Sequence, residues 1–233
     1  MKKVLIVKNV TREGQGLLAR ALEKKGFAWD ETDLSAGGVF PDPGEYDGVV
    51  LLGGPDSAND ETAKMKSELE GVERALSLGR PFLGICLGMQ VLVKVTGGRV
   101  VKSKVKEIGF RGPDGSPFKV ELTEAGKSDA LFAGLGDSFR VFQLHGETVE
   151  LGVGIDLLGT GEFCRVQALR AGAAAYGLQC HFEMTPEMFR SWLAEDDDLK
   201  TADAEALIAE FESIRSEYTG VGMKLMENFL GLI

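Results

Sequence analysis

The chain is poor in cysteine and in histidine, with three and two among its 233 residues. Cys86, Cys164 and Cys180 form an odd, widely spaced set without a C-x-x-C pair, which argues against a zinc site or a disulfide framework. We therefore expect no metal and no other cofactor, and a reducing, cytoplasmic environment, in which a reactive thiol also survives. Only His145 and His181 remain as histidine candidates for a catalytic base.

The chain also has fewer basic than acidic residues. The chain has 26 lysines and arginines against 36 acidic residues, a formal net charge of −10 and a pI of about 4.9. Nucleic-acid surfaces need a basic patch, so we expect no nucleic-acid partner. No apolar stretch is long enough to span a bilayer, and we expect no membrane association. The apolar run that ends at Lys8 predicts a first β-strand rather than a secretory leader.

The hydrophobic pattern of the first half predicts an α/β fold. Hydrophobic residues make up 44% of the chain and the mean hydropathy is −0.01, which suits a single domain over residues 1–233. Strand-like runs alternate with helix-like segments, the strands at 3–8, 48–52 and 81–85 and the helices at 16–26 and 60–79. This order predicts a three-layer fold with a mostly parallel central sheet and helices on both faces.

The second half has a different pattern. Short alternating segments predict strands that extend the central sheet in antiparallel fashion, at 99–103, 117–122, 139–143, 164–169 and 173–180. Residues 186–233 predict a helical C-terminal extension, because Pro186 suits the first position of a helix capped by Thr185. The run of aspartates at 196–198 breaks the pattern, and a second amphipathic helix is predicted from about residue 201.

The clearest indication of chemistry lies between Pro81 and Gln90. Gly84-Ile-Cys86-Leu-Gly88 joins a predicted strand to a predicted helix, the pattern of a nucleophile elbow with cysteine in place of serine. The two glycines leave room for a crowded backbone, and the N-terminus of the next helix favours the thiolate form of a cysteine placed there. A buried structural cysteine in a glycine-rich turn is the alternative for this motif alone.

A base and an orienting carboxylate lie downstream. His181 and Glu183 are two positions apart in the alternating segment 176–183, so in an extended chain they share a face. A carboxylate in that position can orient the imidazole, as activation of a nucleophile requires. A solvated pair at the end of a strand is the alternative.

A glycine turn lies upstream of the elbow. The buried strand at 49–52 runs into Gly53-Gly54-Pro55, where backbone N–H groups can approach a ligand closely. An oxyanion hole needs donors of this kind, one from such a loop and one from the residue after the nucleophile. An ordinary β–α turn is the alternative.

The three motifs in this order resemble the class I (triad-type) glutamine amidotransferases, in particular the amidotransferase domain of GMP synthase. The resemblance runs from Gly53 to Glu183, over half the chain. It implies that a cysteine attacks the side-chain amide of glutamine and forms a γ-glutamyl thioester. Ammonia leaves, and water then releases glutamate.

The resemblance also assigns the catalytic residues. It implies that Cys86 is the nucleophile, His181 the base and acid, and Glu183 the orienting carboxylate. The family usually reads Gln-Phe-His-Pro-Glu around the histidine, whereas this chain reads Gln-Cys-His-Phe-Glu. Cys180 and Phe182 therefore depart from the family pattern beside the pocket.

Further positions follow from the same resemblance. Gly54 and Leu87 match the oxyanion donors, and the residues matched to glutamine binding are Gln90 and, through their backbone, Leu144, Gly146 and Glu147. His145 in this loop is a rival base, although a histidine that supports the glutamine site or a neighbouring strand is the interpretation we favour. Glu107 resembles part of a family element beside the glutamine pocket, with a solvated strand end as the alternative.

Three functions remain open from the sequence. The first is a glutaminase that delivers ammonia to a separate synthetase subunit, since the roughly fifty residues after Glu183 are too few for a further domain with a nucleotide site. The second is the same chemistry on another γ-glutamyl amide, such as a γ-glutamyl peptide. The third is a catalytically quiet homologue that binds or regulates a partner.

Overall fold

The computed structural model describes residues 1–233 and contains eleven strands and six helices. The strands are β1 (Lys3–Lys8), β2 (Ala28–Asp33), β3 (Gly48–Leu51), β4 (Phe82–Ile85), β5 (Arg99–Gly109), β6 (Lys119–Leu122), β7 (Ser138–Arg140), β8 (Gln143–Glu150), β9 (Ile155–Thr160), β10 (Ala168–Ala171) and β11 (Ala175–Leu178). The helices are α1 (Leu17–Lys25), α2 (Ala63–Ser77), α3 (Leu87–Val95), α4 (Glu124–Lys127), α5 (Pro186–Glu195) and α6 (Ala204–Leu230). None of these helices is both long and apolar enough to cross a lipid bilayer.

Nine strands form the central sheet, in the order β2-β1-β3-β4-β11-β10-β9-β6-β7. The first five are parallel, and the last four continue the sheet in antiparallel fashion. Every residue of β3, β4 and β11 is buried, because helices cover both faces of the parallel part. The predicted mostly parallel sheet with an antiparallel extension is confirmed.

Two hydrophobic clusters fill the spaces on either side of this sheet. One packs α1 and the C-terminal part of α6 against it, with Leu18, Leu22, Leu225 and Phe229 among its members. The other packs α2 and α3 against the opposite face. The predicted three layers follow from this arrangement, since each helix buries one apolar stripe on the sheet.

Some strand predictions were wrong in position. The strand expected at 99–103 does not join the central sheet, because β5 pairs only with β8 in a separate two-stranded antiparallel ribbon. The strand expected at 164–169 begins later, as β10 at 168–171, and β9 at 155–160 was not predicted. The strand expected at 173–180 is β11, which pairs with β4 in parallel rather than antiparallel fashion. The polar strand β2 was not predicted, because it pairs with one neighbour at the sheet edge and needs little hydrophobic patterning.

The tail packs beside the ribbon. Thr185 caps α5 by accepting the Met188 N–H, and Pro186 is the first residue of that helix, as predicted. A third apolar cluster joins α5 and α6 to residues next to the ribbon, its aromatic members being Phe110, Phe142, Phe189, Trp192, Phe211 and Tyr218. The Tyr218 hydroxyl donates to the backbone carbonyl of His181 at 2.8 Å. The tail therefore supports the segment that carries the predicted base.

Candidate active site

Cys86 occupies a strained turn between β4 and α3. It is the N-cap residue of α3 with φ 52° and ψ −104°, and it is the one residue other than glycine with a positive φ. A Cβ at Gly84 would lie 2.3 Å from the Gly88 carbonyl oxygen, and a Cβ at Gly88 would lie 2.2 Å from that of Leu51. Both glycines are therefore required by close packing, and the packing holds Cys86 in a conformation that is otherwise unfavourable.

The imidazole of His181 is held from one side by a carboxylate. His181 Nδ1 lies 2.6 Å from Glu183 Oε1, and both side chains are buried. Glu183 Oε2 accepts the Phe182 backbone N–H at 2.8 Å, which fixes the carboxylate in turn. Cys86 lines the same cavity as this imidazole. The pair is thus not solvated, and the structure brings Cys86, His181 and Glu183 together.

Opposing effects act on the His181 imidazole. Burial lowers the pKa of His181, but the Glu183 carboxylate and the Cys86 sulfur raise that pKa more, to well above its ordinary value. An imidazole with a raised pKa beside a thiol favours proton transfer from sulfur to nitrogen. The arrangement can therefore produce a thiolate, the nucleophilic form of cysteine.

The two predicted oxyanion positions are neighbours. Leu87 is the first residue of α3, where a backbone N–H has no intrahelical acceptor. Gly54 follows β3, and a Cβ there would lie 3.2 Å from Leu87 Cδ2 and 2.5 Å from Asn9 Cβ. Only glycine fits this contact, and it brings the Gly54 backbone close to the start of α3.

Gln90 connects α3 to the ribbon. Its Nε2 donates to the Glu147 backbone carbonyl at 3.3 Å and contacts Gln179 Oε1 at 3.5 Å. Gln179 Nε2 in turn lies 3.7 Å from Cys86 Sγ, and the thiol lies 3.8 Å from the Leu144 carbonyl oxygen. The ribbon therefore places the predicted glutamine-binding backbone directly beside the thiol.

A cavity of about 330 Å³ lies in front of Cys86. Of the predicted site residues, Gly54, Cys86, Gln90, Leu144, Gly146, Glu147 and His181 line it. Leu87 and Glu183 do not line the cavity. This is consistent with a backbone donor at Leu87 and with a Glu183 carboxylate that acts through His181. The structure thus gathers all nine positions around one cavity.

His145 is buried and engaged at both ring nitrogens. Its Nε2 lies 2.7 Å from Glu107 Oε2 across the ribbon, and its Nδ1 lies 2.9 Å from the Glu147 carbonyl oxygen. Both ring nitrogens are thus at hydrogen-bonding distance from oxygen atoms. His145 is therefore not a free base for Cys86, and Glu107 is a buried partner rather than a solvated strand end.

Two further residues beside the imidazole were missed in the sequence. Glu13, in the loop after β1, is 2% exposed and its Oε1 lies 3.8 Å from His181 Nδ1. Trp192 of α5 packs edge-on against the His181 ring, with centroids 4.9 Å apart. Glu13 has one usable sequence signal, since it follows the first parallel strand and so lies at the same sheet edge as Cys86.

The remaining cysteines do not line the cavity. Burial raises the pKa of Cys164 to about 11 and that of Cys180 well above its ordinary value. Two clusters place three possible metal ligands within 4.8 Å of one another, Glu107 with His145 and Cys164, and Glu13 with His181 and Glu183. In each cluster a histidine nitrogen already lies at hydrogen-bonding distance from a carboxylate oxygen.

Comparisons with known proteins identify the family of this chain. The family model "Glutamine amidotransferase class-I" matches residues 15–198. The glutamine amidotransferase-like protein YfeJ of Salmonella typhimurium is 30% identical over 209 residues, covering 87% of this chain and 84% of that protein. The glutamine-hydrolysing GMP synthase of Thermosipho melanesiensis is 32% identical over 211 residues, but the chain spans only 37% of its length.

Two further relatives align over most of their own length. One subunit of the glutamine-hydrolysing GMP synthase of Natronomonas pharaonis is 32% identical over 188 residues, which cover 79% of this chain and 89% of that relative. The crystal structure of a glutamine amidotransferase from Thermotoga maritima superposes with a TM-score of 0.86 at 32% identity, covering 98% of this chain and 97% of that one. The chain therefore belongs to the class I glutamine amidotransferase family.

Proposed function

We propose that this chain is a glutamine amidohydrolase in which Cys86, His181 and Glu183 form the catalytic triad. The observation that carries the proposal is the buried 2.6 Å contact of His181 with Glu183, with Cys86 and His181 lining the same cavity. A charged imidazole beside the elbow is the arrangement that nucleophilic catalysis by cysteine needs.

The proposed reaction has two halves. His181 takes the thiol proton, and the Cys86 sulfur attacks the amide carbon of glutamine to give a tetrahedral oxyanion. The backbone N–H groups of Gly54 and Leu87 stabilise that oxyanion. On collapse the imidazolium protonates the leaving nitrogen, ammonia departs, and a γ-glutamyl thioester remains on Cys86. His181 then takes a proton from water, which attacks the thioester and releases glutamate and the thiolate.

The ribbon supplies the proposed binding contacts. Backbone groups of Leu144, Gly146 and Glu147 line the cavity and would hold the α-amino and α-carboxylate groups of glutamine. Gln90 would orient the side-chain amide, since its own amide is fixed between Glu147 and Gln179. These contacts are mostly to backbone, which suits recognition of groups common to all γ-glutamyl amides.

We also propose that the ammonia passes to a separate synthetase subunit. A relative that aligns over 89% of its length is named as one subunit of a GMP synthase, so that relative is part of a larger assembly. A lone amidotransferase would waste glutamine if it ran freely. We therefore expect slow hydrolysis in the isolated protein and faster hydrolysis when the synthetase and its substrates are added.

The first prediction tests the nucleophile. A diazo-ketone glutamine analogue should alkylate Cys86, and mass spectrometry of tryptic peptides should locate the adduct there. Cys86→Ser should abolish both the adduct and glutamine hydrolysis without unfolding the protein. Cys164→Ser is the matched control, since that thiol is buried and does not line the cavity, and it should keep both. An adduct on Cys164 or Cys180 would overturn the assignment.

The substrate requires its own comparison. Measuring kcat/KM for glutamine and for a γ-glutamyl dipeptide on the same preparation separates ammonia donation from peptidase activity. A large preference for the dipeptide, with full activity in the absence of any partner, would replace glutamine with γ-glutamyl peptides as the substrate class. No hydrolysis of either, with no adduct on Cys86, would leave the binding or regulatory function.

A further inference from the structure

Glu13 is a buried carboxylate that the proposed reaction does not use. It lies in the loop between β1 and α1, is 2% exposed, and lines the cavity beside the imidazole. Isolated carboxylates are rarely buried to this extent, because their desolvation costs several kcal/mol unless partners compensate. The partners of Glu13 are therefore informative about its role.

One carboxylate oxygen contacts two parts of the site. Glu13 Oε1 accepts the backbone N–H of Gly53 at 3.1 Å and lies 3.8 Å from His181 Nδ1. A Cβ at Gly53 would lie 2.9 Å from Glu13 Oε1 and 3.1 Å from His181 Cε1, so the carboxylate, the turn and the ring are packed directly together. Movement of Glu13 would move both the imidazole and the turn that leads to Gly54.

We propose that Glu13 is a positioning residue, a second carboxylate beside Glu183 that fixes the His181 ring and the Gly53-Gly54 turn and whose charge stabilises the imidazolium. This inference rests on the proposed function and adds a fourth side chain to it. Glu13 acts through His181 and through the backbone of Gly53, and it need not touch the substrate.

The charges around Glu13 make its ionisation responsive near neutral pH. Burial raises the pKa of Glu13 to about 7, and the Glu183 charge also raises it. The His181 charge, the Gly53 N–H and the Arg12 charge oppose this rise but do not cancel it. Arg12 is itself paired with Asp196 at 2.5 Å. Glu13 is therefore neutral below about pH 7 and negative above it, so the imidazolium gains its support as the pH rises.

The test compares two substitutions that separate charge from hydrogen bonding. Glu13→Gln removes the charge but keeps an oxygen that can accept the Gly53 N–H. Glu13→Ala removes both. Glu23→Gln, the same change at an exposed position on α1, is the matched control. The readouts are the rate of Cys86 alkylation by iodoacetamide from about pH 5 to about pH 9, and kcat and KM for glutamine.

We expect Glu13→Gln to slow alkylation at about pH 8 by roughly tenfold, and to remove a rise near pH 7 that the wild type and Glu23→Gln both show. Its KM should stay close to that of the wild type, because the turn remains anchored. Glu13→Ala should lower kcat further than Glu13→Gln does. A purely structural glutamate would not change the shape of the pH profile.

The outcomes distinguish this inference from the proposed function. Alkylation needs no substrate, so a profile altered by Glu13→Gln supports the inference even in a protein that does not hydrolyse glutamine. Hydrolysis that depends on Cys86, with a Glu13→Gln profile identical to that of the wild type, overturns the inference and keeps the function. If Glu13→Gln does not fold, a wild-type profile without a rise near pH 7 overturns the inference as well.

Discussion

At the residue scale, two buried histidines line the cavity, and their hydrogen bonds distinguish their roles. His181 has one nitrogen at hydrogen-bonding distance from Glu183, and it lines the cavity together with Cys86. His145 has both nitrogens on acceptors, a cross-strand carboxylate and a backbone carbonyl of its own strand. This difference is why we propose His181 as the base, and His145 as a residue that supports the ribbon beside the cavity.

The second prediction follows from this difference. His181→Ala should lower kcat by about a thousandfold or more, as loss of a triad member does. His145→Ala should mainly raise KM, because the backbone of Leu144 and Glu147 loses its support while the triad stays intact. Steady-state kinetics of the two variants, with circular dichroism to verify folding, make the comparison. A larger loss of kcat in His145→Ala would show that the base is misassigned.

At the scale of elements, the elbow depends on how closely α3 approaches β3 and β4. The contacts at Gly84 and Gly88 are with backbone atoms, which have no rotamer to relieve a clash. The positive φ of Cys86 persists because these contacts and the Cys86 N–H bond to the Leu178 carbonyl at 2.7 Å leave no other arrangement.

A third prediction compares two glycines in helices. Gly88→Ala should destabilise the protein by about 3 kcal/mol and remove the Cys86 adduct, because the new methyl group would overlap the Leu51 carbonyl. Gly220→Ala, in α6 with open space around it, should stabilise by about 1 kcal/mol through helix propensity alone. Urea unfolding gives both values, and equal effects of the two substitutions would contradict the packing argument.

The elements also show which parts of the structure were predictable from sequence. The buried strands β1, β3 and β4 have continuous apolar runs, and each was predicted in place. The ribbon strand β8 reads Gln-Leu-His-Gly-Glu-Thr-Val-Glu and was expected to be a loop beyond residue 143, because its stability comes from pairing with β5. Strand pairing over long sequence distances leaves no local pattern.

The same distinction applies to the site. Cys86, His181 and Glu183 lie in an elbow motif and on a shared strand face, which are local properties of the sequence, and the family resemblance implied their roles. Glu13 and Trp192 lie outside these motifs, and only the fold brings them into contact with His181. Packing of the tail against the third apolar cluster is what brings Trp192 to the ring.

At the scale of the whole molecule, the tail joins the two ends of the fold. Helix α6 has 27 residues, an axis of about 40 Å, and it runs from the cluster beside the ribbon to the core under α1. Tyr218 on this helix donates to the His181 carbonyl, so the site and the central core share one support. We propose on this ground that residues 1–233 form one domain.

A second buried glutamate links the stability of the whole molecule to pH. Glu68 on α2 has 0% exposure, and neither carboxylate oxygen has a hydrogen-bond partner. Burial raises the pKa of Glu68 to about 7, with smaller opposing effects from Asn9 and Lys64. A buried carboxyl without hydrogen-bond partners is more stable in its neutral form.

The last prediction concerns the sign of this effect. A carboxyl whose folded pKa is raised stabilises the native state fully below its unfolded pKa, near 4.5, and loses that stabilisation as the pH rises through 7. The shift corresponds to about 3 kcal/mol of unfolding free energy. Glu68→Gln stays neutral, so its stability relative to the wild type should rise by about that amount between about pH 5 and about pH 8.

Urea unfolding at both pH values measures this difference, with Glu70→Gln, on the same helix, as the control. Glu13 remains in all three proteins and cancels, so parallel pH dependences of Glu68→Gln and the wild type would mean that folding does not raise the pKa of Glu68, and would contradict this prediction.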